Sequence, residues 1–266
     1  MAKDLEVLSD LRLNSRQARI MEVLRRDQLL AVTQLAEALD VSGETIRRDL
    51  RLLSAKGLVE KSHGNVRWRD RSEDQPLQRR MLDNMAAKQA IAAAIANEIS
   101  DGESVFLDTG STNTYVAQAL KGRRNLTVVT NSASIAQHLS TGQGNKVYLA
   151  GGELRADDSA AFGPAAILFL QQFMVKTAII SASGLDISLG VMDDHLCEAE
   201  VSRSLVGHAE RMIVGADHSK FGRRCLVAAL GFDAVDLLVT DQRPTGPLAE
   251  ALERNDVEIL VVDPAA

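Results

Sequence analysis

One stretch constrains this chain more than any other: Val41 to Val59, VSGETIRRDLRLLSAKGLV. Its apolar residues Ile46, Leu50 and Leu53 recur at helical spacing and form one stripe. Ser42 stands where a hydroxyl can accept from the free amides of a first turn. Glu44 lies in that turn, where negative charge suits the helix dipole. Gly57 stands where helices stop in the left-handed conformation. Arg47, Arg48 and Arg51 lie off the apolar stripe. A basic face of this kind is also what an ordinary solvated helix carries, so its meaning depends on the neighbouring segments.

Two shorter helical patterns precede it. The first runs from about Arg16 to Arg26 and turns Ile20, Val23 and Leu24 inward. The second runs from about Thr33, its expected N-cap, to Leu39, with Leu35, Ala36 and Leu39 inward. A tight Asp40-Val41 join then leads into the basic helix. That arrangement is a helix-turn-helix, whose second helix can lie in the major groove of DNA. Downstream, Leu58 to Arg69 reads as two alternating runs around His63-Gly64-Asn65, where glycine and asparagine tolerate the positive φ of a tight hairpin. The hairpin would be the wing of a winged helix.

These residues resemble the DNA-binding domain of the DeoR family of bacterial repressors. The similarity is carried by Arg19-Ile20, Val32, Leu35-Ala36, Val41-Ser42, the run Thr45-Ile46-Arg47-Arg48-Asp49-Leu50, Leu53, Gly57 and His63-Gly64. Where that family often has Gly-Gly-Ala after the wing histidine, this chain has Gly64-Asn65-Val66. In this reading Arg47 and Arg48 reach base edges or phosphates. Ser42, Thr45 and the first-turn amides seat the helix on the backbone, with Arg51 on the same basic face. Lys61 and His63 of the wing touch phosphate or the minor groove.

Charge supports a division of labour. The whole chain carries a net charge of −6, which by itself argues against a polyanionic partner. Residues 15 to 69, however, hold 11 Lys and Arg against 7 Asp and Glu, leaving the acidity to the remainder. A basic reading module on an acidic partner domain produces that asymmetry. The expected organisation is a winged helix-turn-helix over 14–69, a polar linker over 70–76 (DRSEDQP), and a second domain over 77–266. The start, MAKDLEVLSD, is charged rather than signal-like, and no apolar run has membrane-spanning length. Cys197 and Cys225 stand far apart and match no metal-ligand spacing. The expectation is a cytoplasmic protein with reduced thiols, no membrane partner, no metal and no cofactor.

From Leu77 onward the pattern changes. A long alanine-rich helix over 77–99 opens the domain. Compact apolar strands then alternate with amphipathic helices: ESVFLD, LTVVT, KVYLA, TAIISAS, RMIVGAD, VDLLVT and VEILVVD are the strands. Such alternation means α/β architecture, a mostly parallel sheet covered on both faces. Ligands of such sheets bind at loops off the carboxyl ends of the strands. Polar and glycine residues gather there: Asp108-Thr109-Gly110-Ser111-Thr112, Thr130-Asn131-Ser132, Gly151-Gly152-Glu153, Ser183-Gly184, and Asp217 to Lys220, with Glu198 opening a later helix. The Gly110-Ser111-Thr112 turn into a helix offers free amides, hydroxyls and a positive dipole end, a setting for phosphate. Each loop alone is also ordinary turn chemistry.

The resemblance extends through these loops. Asp108 to Thr112, Thr130 to Ser132, Ala150 to Arg155, Gly163-Pro164 and Asp217 to Gly222 are similar to the sensor domain of the same family. That family implies a fold related to ribose-5-phosphate isomerase and glucosamine-6-phosphate deaminase, reused to sense a phosphorylated sugar or polyol. On this basis Gly110, Ser111 and Thr112 hold phosphate, and Lys220 adds a cation. Asp108, Asn131, Glu198 and Asp217 hydrogen-bond ligand hydroxyls. Effector specificity is expected in 190–198, where Asp193, Asp194 and His195 have no metal-ligand spacing. The function implied is a repressor that binds operator DNA as a homodimer or homotetramer and is released by its effector. The alternative is an enzyme, an isomerase or deaminase retaining ancestral chemistry. The fused DNA module would have no use in such an enzyme, and no paired acid and base stands out.

Overall fold

The structure, a computed structural model, describes residues 14–27, 29–55, 59–62, 65–68 and 76–264. Contacts divide the chain into two compact units, Met1–Glu73 and Asp74–Ala266.

In the first unit, helices α1 (Ser15–Asp27), α2 (Val32–Leu39) and α3 (Gly43–Ala55) enclose a core of Ile20, Leu24, Leu35, Ile46, Leu50 and Leu53. The inward residues are those picked out by helical spacing. Asp40, left-handed at φ 52°, ends α2, and the chain turns directly into α3. Ser42 caps α3, accepting from the N–H of Thr45 at 3.2 Å. The start of α2 differs from expectation. Val32 is already helical and Ala31 is the cap residue. The Ala31 N–H donates to the side chain of Gln34, so Thr33 is not the N-cap. Strands β2 (Val59–Ser62) and β3 (Asn65–Trp68) pair antiparallel, with Ser62 opposite Asn65. A third strand, β1 (Leu29–Ala31), pairs with β3, setting Leu30 against Val66. Three residues are too short for alternation to betray β1 in sequence. His63, Gly64, the expected helix stop Gly57 and most of the expected linker lie outside the described residues.

The second unit is built on seven parallel strands: β4 (Ser104–Leu107), β5 (Thr127–Thr130), β6 (Lys146–Leu149), β7 (Val175–Ser181), β10 (Ala209–Gly215), β12 (Leu237–Thr240) and β13 (Glu258–Val261). Their order is β13-β12-β10-β7-β4-β5-β6. Successive strand residues face opposite layers. Val105, Leu107, Val128, Ile179 and Ile213 pack with α5 (Met85–Glu98), α6 (Ser111–Ala119) and α7 (Ala133–Ser140). Phe106, Val129, Ile180, Val214 and Leu238 pack with α8 (Pro164–Leu170), α9 (Leu196–Ser204) and α10 (Pro247–Arg254). Helices on both faces explain why these strands read as continuous apolar runs.

Two features depart from the sequence reading. The helix expected over 77–99 is two helices, α4 (Leu77–Leu82) and α5, separated by extended Asp83 and left-handed Asn84. Asparagine tolerates that conformation, and here its amide donates to Asp217 Oδ1 at 2.8 Å. The segments between β7 and β12 also build a separate antiparallel sheet, in order β11-β9-β8, from β8 (Gly184–Asp186), β9 (Gly190–Asp193) and β11 (Val227–Leu230). So 190–193 is strand, and Asp193 and Glu198 stand at its exit and in the first turn of the helix that follows.

Candidate functional site

In the first unit α3 presents a basic surface. Along α3 the buried residues are Ile46, Asp49, Leu50 and Leu53, and the exposed ones include Glu44, Arg47, Arg48 and Arg51. The Arg47 and Arg51 side chains are 58% and 67% exposed. Asp49 belongs to the other face. It is 1% exposed and accepts from Arg16 Nε at 2.5 Å and from Gln17 Nε2 at 3.4 Å. This pair ties α3 to α1 and fixes how the arginine face is presented. Thr45 engages its hydroxyl with Ser42 at 2.8 Å. Lys61 lies on β2, but its side chain is outside the described residues, as is His63.

In the second unit the sheet order dictates where a ligand belongs. From β4 the chain moves outward through β5 to β6, then crosses back to β7 on the opposite side of β4. The crevice beyond the carboxyl ends of β4 and β7 is therefore the switch point at which open α/β sheets bind ligands. The loop after β4 is Asp108 to Gly110, leading into α6. Gly110 has φ 125°, and a Cβ there would stand 2.3 Å from Ser181 Oγ on β7, so only glycine fits. Ser111 and Thr112 follow, both buried. The amides of Ser111 to Asn113 head α6 and have no acceptor within the helix.

The same unit contains a feature the sequence reading missed. Lys88 of α5 is only 3% exposed, and its ammonium donates to the carbonyl of Arg80. Burial, then the neighbouring charge of Lys220, pushes its pKa down to about 8. Lys220 is held below the ordinary lysine range, first by burial. Asp217 feels the charge of both lysines. Burial would raise its pKa, but Lys220, the Ser219 N–H and Lys88 outweigh that and lower it. Asp217 Oδ1 accepts from Asn84 and Ser219, while its buried Oδ2 has no partner among the described residues. A buried lysine costs free energy unless compensated; here the Arg80 carbonyl and the charge of Asp217 supply part of that compensation. Its signal in sequence was one lysine inside an alanine-rich helix, which periodicity treats as a surface residue.

The remaining expected residues fall into two groups. Asp108 is buried, and burial followed by the charge of Glu198 raises its pKa to about 7, against the pull of the Thr109 N–H and the nearby Asn131 amide. Asp193 is raised well above the usual carboxylate range by burial and by Glu198 and Asp108. Asn131 is fully buried, and neither atom of its amide has a hydrogen-bond partner at ordinary geometry. These groups are available to a ligand. Thr130 and Ser132 are engaged in structure. The Thr130 hydroxyl donates to the Leu107 carbonyl at 2.6 Å and accepts the Ser132 N–H at 3.1 Å, and Ser132 caps α7. Gly184 starts β8, where a Cβ would stand 2.3 Å from the Arg223 carbonyl, so backbone packing accounts for its glycine.

The loop after β6 contributes differently from expectation. Gly151, Gly152 and Glu153 are exposed. Arg155 is the side chain that turns inward. It binds Asp158 through Nε at 3.1 Å and Nη2 at 2.5 Å, reaches Glu198, and lies 4.5 Å over the Phe162 ring. Asp158 also accepts from the Thr109 hydroxyl at 3.2 Å, so the Arg155 loop is fastened to the β4 loop. Cys197 and Cys225 are both free thiols. Among the described residues no group of three His, Cys, Asp or Glu side chains has metal-holding geometry, and no helix is long and apolar enough to cross a membrane.

Family models match both units: a DeoR-like helix-turn-helix domain over residues 16–72 and a DeoR C terminal sensor domain over residues 83–242. Curated relatives are similar over most of their length. The transcriptional repressor AccR of Agrobacterium fabrum is 38% identical over 85% of this chain and 88% of its own. The glycerol-3-phosphate regulon repressor of Escherichia coli is 30% identical over 90% and 95%. The repressor CsqR of the same organism is 30% identical over 96% and 97%.

Proposed function

The chain belongs to the DeoR family of helix-turn-helix regulators, and from that premise we propose that it is a sequence-specific repressor of a carbohydrate or polyol catabolic operon, released from its operator by a phosphorylated sugar or polyol. The α3 face reads DNA, with Arg47 and Arg48 at base edges and phosphates. Arg51, Ser42, Thr45, Lys61 and His63 support that docking. The effector sits beyond β4 and β7. Its phosphate meets the start of α6 (Gly110, Ser111, Thr112) together with Lys88 and Lys220. Its hydroxyls meet Asp108, Asn131, Glu198 and Asp217. Thr130, Ser132 and the Gly151 to Glu153 turn shape the surrounding loops, and Gly184 lets β8 pack close. The protein acts in the cytoplasm as a homodimer or homotetramer, because one small reading module covers a single half-site.

The observation that carries the effector assignment is Lys88, an ammonium buried within reach of the charges of Asp217 and Lys220, which follow the carboxyl end of β10 next to β7. Retained isomerase or deaminase chemistry finds less support. Its relatives named above are repressors.

The test is a thermal-shift screen of the full chain with phosphorylated sugars and polyols, each beside its unphosphorylated counterpart. A ligand selective for the native state raises the melting temperature. The expected hit is phosphorylated, and it weakens binding to promoter DNA. Hits among the unphosphorylated compounds alone, or turnover of ribose 5-phosphate, would refute the assignment.

A further inference from the structure

The exposed face of α3 contains one acid. Successive helical residues turn by about 100°, so the buried set Ile46, Asp49, Leu50 and Leu53 defines one direction, and Glu44 and Arg51 point opposite to it. Glu44 is thus centred on the outermost line of the helix, one turn before Arg47 and Arg48. Its side chain is 70% exposed, and its two oxygens lie 3.4 Å from Arg47 Nη1 and 3.4 Å from Arg51 Nη2. It does not serve as the cap, since Ser42 does that. A helix that docks in a major groove inserts its outermost line, led by its N-terminal residues. Glu44 would therefore enter the groove between two phosphate backbones, a repulsive setting for a carboxylate. The groove compensates an acid in that position through an exocyclic amino group, and of the two bases that present one there, adenine sets it beside the acceptor N7, which repels a carboxylate, so cytosine is the base that fits.

We propose that Glu44 is a base-reading residue, whose carboxylate accepts a hydrogen bond from the amino group of a cytosine at one position of the half-site. Arg47 and Arg51 steady the carboxylate in the free protein and separate from it to reach DNA. The acid also weakens binding to every duplex that lacks the donor at that position, so it raises discrimination at the expense of raw affinity. This inference rests on the repressor reading above.

The experiment selects bound sequences from a randomised duplex library with the full-length protein, its Glu44→Ala variant and its Glu44→Gln variant. The wild type is expected to enrich a motif with cytosine at one position. Glu44→Ala keeps the motif elsewhere, loses the preference there, and binds unrelated DNA more tightly. Discrimination at that position falls by about 5- to 150-fold, the usual range for one base contact. Glu44→Gln shifts the preference from cytosine towards adenine, whose N6 and N7 a glutamine side chain matches. A helix-stabilising acid with no base contact would not change the preferred base. Identical motifs from all three proteins would overturn the role of Glu44 and leave the repressor reading standing. Enrichment of no motif by the wild type would overturn both.

Discussion

In the N-terminal unit the charged groups offered to a partner are exposed and the buried ones are paired; in the C-terminal unit the polar groups offered are the buried ones. Arg47 and Arg51 stand in water, while Asp49 beneath them is matched by Arg16 and Gln17. In the sensor unit Lys88, Asp108, Asp193 and the Asn131 amide are enclosed, and both polar atoms of that amide lack partners. The difference follows from the size of the ligand. DNA is a large polyanion that never leaves water fully, and surface cations bind it by releasing counterions. A small phosphorylated polyol gains selectivity when it is enclosed and completes hydrogen bonds the site leaves open.

The largest effect should come from stripping the exposed cations. Arg47→Ala combined with Arg48→Ala is expected to weaken operator binding by about a hundredfold or more and to flatten the salt dependence. Fluorescence anisotropy across a salt series measures both. The melting temperature should hardly move, since neither arginine is buried. Unchanged binding would mean that this face is merely solvated, and the contrast between the units would fail.

The same contrast explains what was legible in the sequence. The reading helix announced itself because its cap, stripe and arginines are contiguous. Asp49 was visible as part of a motif but not as a clamp, because its partners lie more than thirty positions upstream in α1. In the sensor unit the Gly110 turn was readable from local chemistry, since a positive φ and a helix start both leave marks. Lys88 was not, because its meaning depends on Lys220 and Asp217, which the fold brings from another strand end. Arg155 stands two positions from Glu153, and residue type alone does not tell which of the two turns inward. Only the path of the loop decides which side chain turns inward. The β8-β9-β11 sheet leaves no mark in the sequence because its strands are short and one of them comes from beyond β10.

Asp108 tests whether the sensor carboxyls are truly enclosed. Its folded pKa of about 7 lies above the ordinary carboxyl value, so the folded protein holds more protons than the unfolded chain between those limits. Stability attributable to this group therefore falls as pH rises from about 4 to about 7, and the penalty is complete above that. Asp108→Asn removes the penalty. Its advantage over wild type should grow by about 2 kcal/mol between about pH 5.5 and about pH 8, with a ceiling near ~4 kcal/mol. Urea melts of both proteins at the two pH values give the difference. A gap that does not change with pH would place Asp108 in contact with water.

Lys88 separates binding from folding. Lys88→Met keeps the length and apolar stem and removes the buried charge. Affinity for the phosphorylated effector should fall by about 10- to 100-fold, in line with loss of one charged hydrogen bond. Without effector the melting temperature should hold or rise, because a desolvated ammonium is gone. Calorimetric titration and a melt on the same samples report both. A lower melting temperature with unchanged affinity would make Lys88 a structural residue.

The smallest expected effect sharpens the comparison within a single loop. Thr130 and Asn131 are neighbours, both fully buried, and they differ only in whether their polar atoms are engaged. Thr130→Val keeps the shape but leaves the Ser132 N–H without its acceptor, so it should lower stability by about 1–3 kcal/mol. Its effect on effector affinity should be slight once folding is accounted for. Asn131→Ala removes an amide that makes no full hydrogen bond in the free protein. The relief of those unsatisfied atoms offsets part of the lost packing, so stability should change by less than it does for Thr130→Val. Effector affinity, in contrast, should drop by about 5- to 10-fold, the worth of a neutral hydrogen bond. Melting curves and titrations of the two variants give four numbers. If the two residues move stability and affinity together, the unpartnered amide is a packing feature. If they move them in opposite proportion, an open hydrogen bond in the free protein marks the ligand's place.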